Sequence, residues 1–199
     1  MPIYDRREAT DPRVLDRFEG AVGWMAHPDE AGQRASYAVR GDDGVWLFDP
    51  LDATGVDALI ADLGEVVGVA VLSNFHARDA AAFADRYDVP VFVPDWMDRV
   101  PGRVDAPIER YDRTPDLLST RRTVGGERLT LTLPSRLFPP RDLLGDREPN
   151  RILVGHGDGI SENATGALVD TLDGARQRLP RAIVTQGPAL VAGIAAAFR

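Results

Sequence analysis

The hydrophobic pattern of this chain changes at Pro50, and the change limits the folds open to it. Before Pro50, apolar runs at residues 21–26, 35–40 and 45–50 alternate with short turns rich in Gly, Pro and Asp. The segment Gly41-Asp42-Asp43-Gly44 is typical of a tight turn that joins two of these runs as a hairpin. The sequence therefore predicts that the chain opens as an antiparallel meander.

After Pro50 the pattern alternates between helix and strand. Residues 56–63 carry apolar side chains at helical spacing, with Thr54 or Asp52 as the N-cap and Gly64 as the stop. A strand at 69–72, a helix at 77–87 and a strand at 89–94 follow, an order that implies a right-handed parallel crossover. The meander is thus expected to lead into a βαβ unit.

The second half of the chain repeats this theme. We predict an ordered loop with short strands over residues 95–120, a hairpin with its turn at Gly125-Gly126, and a turn at 138–144. A strand at 151–154, a helix at about 161–179, a strand at 182–185 and a short C-terminal helix complete the pattern. A chain of 199 residues is long enough to bury one core, so we predict a single domain over residues 1–199.

Composition excludes several classes of chemistry and partner. There is no Cys, so disulfides, thiolate metal sites and Cys nucleophiles are excluded, and all 23 basic residues are Arg, so there is no catalytic Lys. The net charge of −8 argues against a nucleic-acid partner. No signal-peptide core and no apolar run of roughly 20 residues is present, so we expect an acidic cytoplasmic protein with no membrane contact.

Two apolar runs end in a histidine and a carboxylate. Residues 151–154 lead into Gly155-His156-Gly157-Asp158-Gly159, and residues 69–72 lead into a segment that contains His76 and Asp79. Strand ends of this kind carry the chemistry of many α/β folds, so the two could face one site. A structural, hydrogen-bonded role for each histidine is the alternative.

The order of these elements, with Trp46-Leu47-Phe48-Asp49-Pro50, a helix and a strand that ends near a His, resembles the metallo-β-lactamase-fold hydrolase superfamily. The resemblance is best between Ser36 and Pro94 and returns at residues 152–159. It implies a four-layer αββα sandwich, for which an ordinary doubly wound α/β sheet is the alternative. It also implies a metal site at one edge, lined by loops from both halves.

The family's His-x-His-x-Asp-His motif is incomplete in this chain. Its positions are occupied by Asn74-Phe75-His76-Ala77-Arg78-Asp79, so only His76 keeps its residue type, and Arg78 would repel a cation. There is no histidine between His76 and His156, while residues 154–157 closely resemble the final Gly-His-Gly strand end of the family. The resemblance therefore implies a degenerate metal site and excludes a standard dinuclear zinc centre.

The candidate catalytic residues are His76, Asp79 and His156, and Asp158 joins them as a candidate metal ligand. Two His and a carboxylate would suffice for one divalent ion, zinc, iron or manganese, with an open position for water. The alternative is no metal, with Asp79 as a helix cap and Asp158 as a turn residue. His27 is the third and last histidine of the chain.

The sequence leaves three alternative functions open. The first is a mononuclear metal-dependent hydrolase of esters or thioesters. The second is a non-catalytic pseudoenzyme that serves as a binding or scaffold protein. The third is a metal-free pocket in which His76 and His156 act as acid and base. The partner in the catalytic cases would be a small-molecule substrate, and the sequence does not fix an oligomeric state.

Overall fold

The structure is a computed structural model that describes residues 3–111, 129–131 and 133–185. Its contacts divide the chain into two compact units. The first unit comprises Met1–Asp116 together with Gly155–Asp158, and the second comprises Leu117–Val154 and Gly159–Arg199. The segment that carries His156 therefore belongs to the same unit as His76.

In its described residues, the first unit is built on one mixed sheet of seven strands, which lie side by side in chain order. Neighbouring strands are antiparallel from β1 to β4 and parallel from β4 to β7. The strands are β1 (Arg13–Phe18), β2 (Ala21–Met25), β3 (Ser36–Arg40), β4 (Val45–Phe48), β5 (Val66–Ala70), β6 (Val91–Pro94) and β7 (Ile108–Tyr111). The predicted α/β class is confirmed, and the antiparallel half distinguishes the fold from a doubly wound parallel sheet.

Helices α1 (Val56–Ala61) and α2 (Ala80–Tyr87) connect the parallel strands. Their apolar faces, Val56 and Ile60 on α1 and Phe83 on α2, join one buried cluster with the sheet residues Trp24 and Leu47. The parallel direction of β4, β5 and β6 puts their carboxyl ends at one edge of the sheet, where Asp49 and the His76 loop follow β4 and β5.

The second unit, in its described part, is helical. It contains α3 (Leu133–Leu137), α4 (Arg141–Leu144), α5 (Ala164–Gly174) and further helical residues at 179–185. Asn163 caps α5 by accepting a hydrogen bond from the backbone N–H of Gly166. The buried face of α5, through Leu168 and Leu172, packs in a cluster with Leu129.

Several predicted elements differ from the structure. The strand predicted at 182–185 is wrong: these residues are helical, and Thr185 Oγ1 donates to the carbonyl of Arg181 one turn earlier. Pro180 lies in the first turn of that helix, a position that proline tolerates. The strand predicted at 151–154 is replaced by an isolated bridge between Ile152 and Ile160.

Two further differences lie at helix starts and turns. The N-cap of α1 is Gly55 in a left-handed conformation (φ 85°), without the side-chain cap predicted from Thr54 or Asp52. Helices α3 and α4 occupy positions where the sequence predicts the end of a strand and a turn. The predicted Gly125-Gly126 turn lies outside the described residues, so the second sheet of a four-layer sandwich stays a prediction.

Candidate active site

Asp49 and His76 form a buried carboxylate–imidazole pair at the carboxyl edge of the parallel strands. Nδ1 of His76 lies 2.6 Å from Oδ2 of Asp49, and the side chains are 15% and 5% exposed. The other carboxylate oxygen of Asp49 accepts a hydrogen bond from the backbone N–H of Leu72 at 2.8 Å. Because an ionised carboxylate only accepts, Nδ1 of His76 carries the proton in this contact, and the ring presents its Nε2 on the opposite side.

His156 is held beside residues 33–35 by an isolated antiparallel bridge to Arg34. Backbone bonds run from Ala35 N–H to the carbonyl of Gly155 at 3.0 Å and from Gly157 N–H to the carbonyl of Gln33 at 2.8 Å. Nδ1 of His156 lies 2.7 Å from the carbonyl oxygen of Gly32, which can only accept, so Nδ1 donates here too. The contact with Gly32 therefore orients the ring of His156.

The two imidazoles meet through their remaining nitrogens. Nε2 of His76 lies 3.2 Å from Nε2 of His156, with the ring planes inclined at 64°. With both Nδ1 atoms donating outward, the Nε2 atoms of two neutral rings would face each other with lone pairs. This arrangement favours a cation between the rings, which is either a shared proton or a metal ion.

Arg78 brings a buried positive charge next to this pair. Its Nη1 donates to the carbonyls of Ala35 at 2.5 Å and Asp49 at 2.6 Å, and its Nη2 donates to that of Gly155 at 2.9 Å. Burial lowers the pKa of the guanidinium, and the carboxylate of Asp49 opposes that shift. The sequence predicts that Arg78 would repel a cation at this position. In the structure, its guanidinium donates hydrogen bonds to three backbone carbonyls.

The electrostatic balance of the site is centred on Asp49. Burial acts to raise the pKa of its carboxyl group. The charge of His76 and its hydrogen bond, followed by the charge of Arg78 and the Leu72 N–H, outweigh burial and leave the pKa lowered. Asp49 is therefore an ionised partner for His76.

The other predicted site residues lie apart from the histidine pair. The carboxylate of Asp79 accepts the backbone N–H of Asp52 at 2.8 Å, at the N-cap of α2 but without capping that helix. Asp158 forms an exposed ion pair with Arg13 at 2.9 Å. The structure thus brings His76 and His156 together with Asp49, and engages Asp79 and Asp158 elsewhere.

A cavity of about 770 Å³ lies in the first unit, and Arg78 is one of its lining residues. Its lining includes Arg78, Asp79 and His27 and does not include His76 or His156. The exposed residues Arg6 and Glu8 and the ion-paired Arg86 also line it, so the wall is rich in charges of both signs.

The donor set can be compared with what a metal centre requires. Two nitrogens bound to one tetrahedral zinc lie about 3.3 Å apart, close to the separation of the two Nε2 atoms, and catalytic zinc sites have three protein ligands. Among residues 3–111, 129–131 and 133–185, however, no group of three or more His, Cys, Asp or Glu could hold a metal ion. In the described residues, the possible metal ligands at this point are the Nε2 atoms of His76 and His156, next to the guanidinium of Arg78. Two nitrogens fit neither a dinuclear nor a complete mononuclear metal centre.

Comparisons with known proteins add little to this geometry. No protein-family model matches the chain, and no curated protein matches it significantly. Among solved structures, the chain is similar to the crystal structure of BLEG-1 B3 metallo-β-lactamase at 18% identity, with a TM-score of 0.31. The match covers 58% of this chain and 57% of that chain, little more than half of either.

The helices of the described residues were also compared with the length and hydrophobicity that a membrane span requires, and none of them reaches both.

Proposed function

We propose that this chain is a divergent metallo-β-lactamase-like hydrolase in which His76 and His156 transfer protons without a bound metal ion. The observation that carries the proposal is the 3.2 Å contact between the two Nε2 atoms, each on a ring whose Nδ1 donates to a fixed acceptor. The reaction class, attack of water on an ester or thioester, comes from the sequence resemblance between Ser36 and Pro94.

His76 has the arrangement of a general base. Its Nδ1–H donates to the ionised carboxylate of Asp49 at 2.6 Å, which fixes the tautomer with a lone pair on Nε2. When Nε2 takes a proton, the imidazolium is stabilised by Asp49. The same proton lies within hydrogen-bond distance of His156 Nε2, so the two rings can share it.

Hydrolysis then follows in two steps. Water attacks the carbonyl carbon, the new C–O bond forms, and the proton of the water passes to an Nε2 atom of the pair. The tetrahedral intermediate collapses, the C–O or C–S bond to the leaving group breaks, and the pair returns the proton to the departing oxygen or sulfur. The protein ends in its starting protonation state.

The test combines metal content with turnover of p-nitrophenyl acetate. Proton transfer by a positioned side chain contributes about 10²–10⁴-fold, so His76→Ala should lower kcat/KM by about 10²-fold or more, and a chelator should leave the wild-type rate unchanged. Asp158→Asn is the matched control, because Asp158 follows the same Gly-His-Gly segment but pairs with Arg13 at the surface.

Two results would overturn the proposal. Near-stoichiometric zinc, iron or manganese that disappears in His156→Ala, with activity proportional to the metal, would establish a metal-dependent hydrolase. No turnover above buffer by folded wild-type protein would leave a non-catalytic role.

A non-catalytic binding role is the second candidate, and the cavity favours it. The wall includes Arg78 and Asp79 but neither member of the histidine pair, so a molecule seated there meets charges rather than the proposed base. If wild-type protein shows no turnover, ligands that carry both charges are the class to screen against this cavity.

A further inference from the structure

We infer that the guanidinium of Arg78 assembles this site, binding together three separate chain segments through their backbone carbonyls. Arg78 would hold these segments in place whether the site is catalytic, as proposed above, or serves only in binding.

The three acceptors of Arg78 come from three different parts of the fold. Ala35 precedes β3, Asp49 follows β4, and Gly155 belongs to the segment that carries His156. Each contact is a charge-assisted hydrogen bond to a backbone carbonyl, the stronger class of hydrogen bond in proteins. One side chain thus ties the Asp49 loop to the segment that places His156.

Backbone conformation supports the same conclusion. Arg78 and Asp49 both have left-handed backbones, with φ of 43° and 46°, a conformation that costs free energy for residues other than glycine. Strain of this kind persists when surrounding contacts hold it in place. At Arg78, the contacts of the guanidinium with three carbonyls provide that hold.

The packing at Gly155 shows how closely these groups fit. A Cβ atom added at Gly155 would lie 3.0 Å from Cε1 of His76 and 3.9 Å from Nη2 of Arg78. The imidazole and the guanidinium therefore both lie against the bare backbone of Gly155, and the carbonyl of that residue accepts from Arg78 and from Ala35 N–H. The backbone bonds to Ala35 and Gln33 would remain without the guanidinium, so its loss should loosen the Gly155–Asp158 segment against the Asp49 loop and shift the His156 ring relative to His76.

The cavity makes a chemical-rescue experiment possible. Arg78 lines it and the cavity is partly open to solvent, so free guanidinium can reach the space that Arg78→Gly vacates. Glycine adopts the positive φ of Arg78 without strain, so the backbone of the variant can keep its native conformation. We expect Arg78→Gly to lower the melting temperature by roughly 5–10 °C, and millimolar guanidinium chloride, below denaturing concentrations, to restore most of that loss.

A second readout follows the site itself. The Nδ1–H proton of His76, assigned by its disappearance in His76→Gln, should be lost from the NMR spectrum of Arg78→Gly and return with guanidinium. If Arg78→Gly does not fold, its refolding yield with and without guanidinium gives the same comparison. Arg78→Lys keeps the charge but has one nitrogen where Arg78 uses two, so it should retain only part of the stability.

Arg86→Ala is the matched control, since Arg86 lines the same cavity but pairs with Asp52 and Asp57. Guanidinium should not raise its melting temperature. The inference is overturned if Arg78→Gly keeps the wild-type melting temperature and His76 resonance. It is also overturned if urea or sodium chloride restores Arg78→Gly as well as guanidinium does.

Discussion

The guanidinium of Arg78 binds the main-chain carbonyl of Asp49 at 2.6 Å, while the carboxylate of Asp49 accepts from His76 Nδ1 and Leu72 N–H. The two opposite charges are therefore neighbours that act on different groups. Arg78 organises backbone, and Asp49 orients the imidazole. This division leaves the carboxylate available to stabilise a proton on His76.

Asp49 should make the protein sensitive to acid. Its pKa is lowered in the folded state, so its contribution to stability is present above the unfolded value of about 3.9 and is lost as the pH falls through the lower folded value. We expect Asp49→Asn to be less stable than wild type at neutral pH and to lose less of its melting temperature on acidification. Melting curves between about pH 7 and pH 3 measure this.

The control for that experiment is Asp158→Asn, whose carboxylate is 69% exposed and pairs at the surface. Its melting temperature should follow the wild-type acid profile. An Asp49→Asn profile parallel to that of the wild type would contradict the role given to Asp49.

Glu30 and Arg34 form a buried ion pair on either side of Gly32, whose carbonyl contacts His156. The Glu30 carboxylate accepts from Nε and Nη2 of Arg34, both at 2.7 Å, and from the backbone N–H of Asp5, and the two side chains are 1% and 14% exposed. Glu30→Ala removes the charged partner of the Arg34 guanidinium, which keeps the carbonyl of Asp5 as an acceptor, so we expect a loss of about 3–5 kcal/mol in the free energy of unfolding by urea.

The exposed pair of Arg141 and Asp173, at 2.6 Å, is the comparison. Because surface ion pairs contribute little, Asp173→Ala should cost less than about 1 kcal/mol. Equal losses of unfolding free energy in Glu30→Ala and Asp173→Ala would mean that burial does not strengthen the contribution of the Glu30 pair to stability.

Gly155 should not tolerate a side chain. An alanine methyl group would lie 3.0 Å from Cε1 of His76, so the imidazole or the segment must shift, and overpacking of this kind costs about 1–3 kcal/mol. Urea unfolding of Gly155→Ala measures the loss. At Gly102 the nearest atom to an added Cβ is 4.0 Å away, so Gly102→Ala should be close to neutral.

Trp24 contributes a buried hydrogen bond to the core of the first unit. Its Nε1 donates to the carbonyl of Leu51 at 2.8 Å, and the side chain is fully buried. Trp24→Phe removes that donor, so we expect a loss of about 1–3 kcal/mol in the free energy of unfolding. Trp46→Phe, whose indole donates to Asp43 at the surface, should lose less, and the reverse order would contradict the assignment.

The sequence predicted those elements that carry strong apolar patterns. β2, β3, β4, α1 and α2 were expected close to where they lie, because each buries a continuous or periodic apolar face. β1 was not identified: Arg13–Phe18 is an edge strand with no buried residue, and its polar composition leaves no clear alternation.

The sequence carries a local signal for the two histidines of the candidate site. Both follow apolar segments, which indicated His76 and His156, and the structure places their Nε2 atoms 3.2 Å apart. Which carboxylate joins them depends on tertiary placement: the sequence indicated Asp79 and Asp158, and the carboxylate that contacts His76 is that of Asp49. The carbonyl of Gly32 has no sequence signal, since every residue has a carbonyl group.

The arrangement of the sheet has a consequence for the order in which this protein folds. Its strands pair with their neighbours in the chain, so each pairing joins residues much closer in the sequence than the two histidines are. The histidine pair joins residues 80 positions apart in the sequence. Bringing the ends of so long a stretch together costs conformational entropy before the contact can stabilise the fold. We expect the imidazole contact to form late, so that it reports on the completion of folding rather than on its beginning.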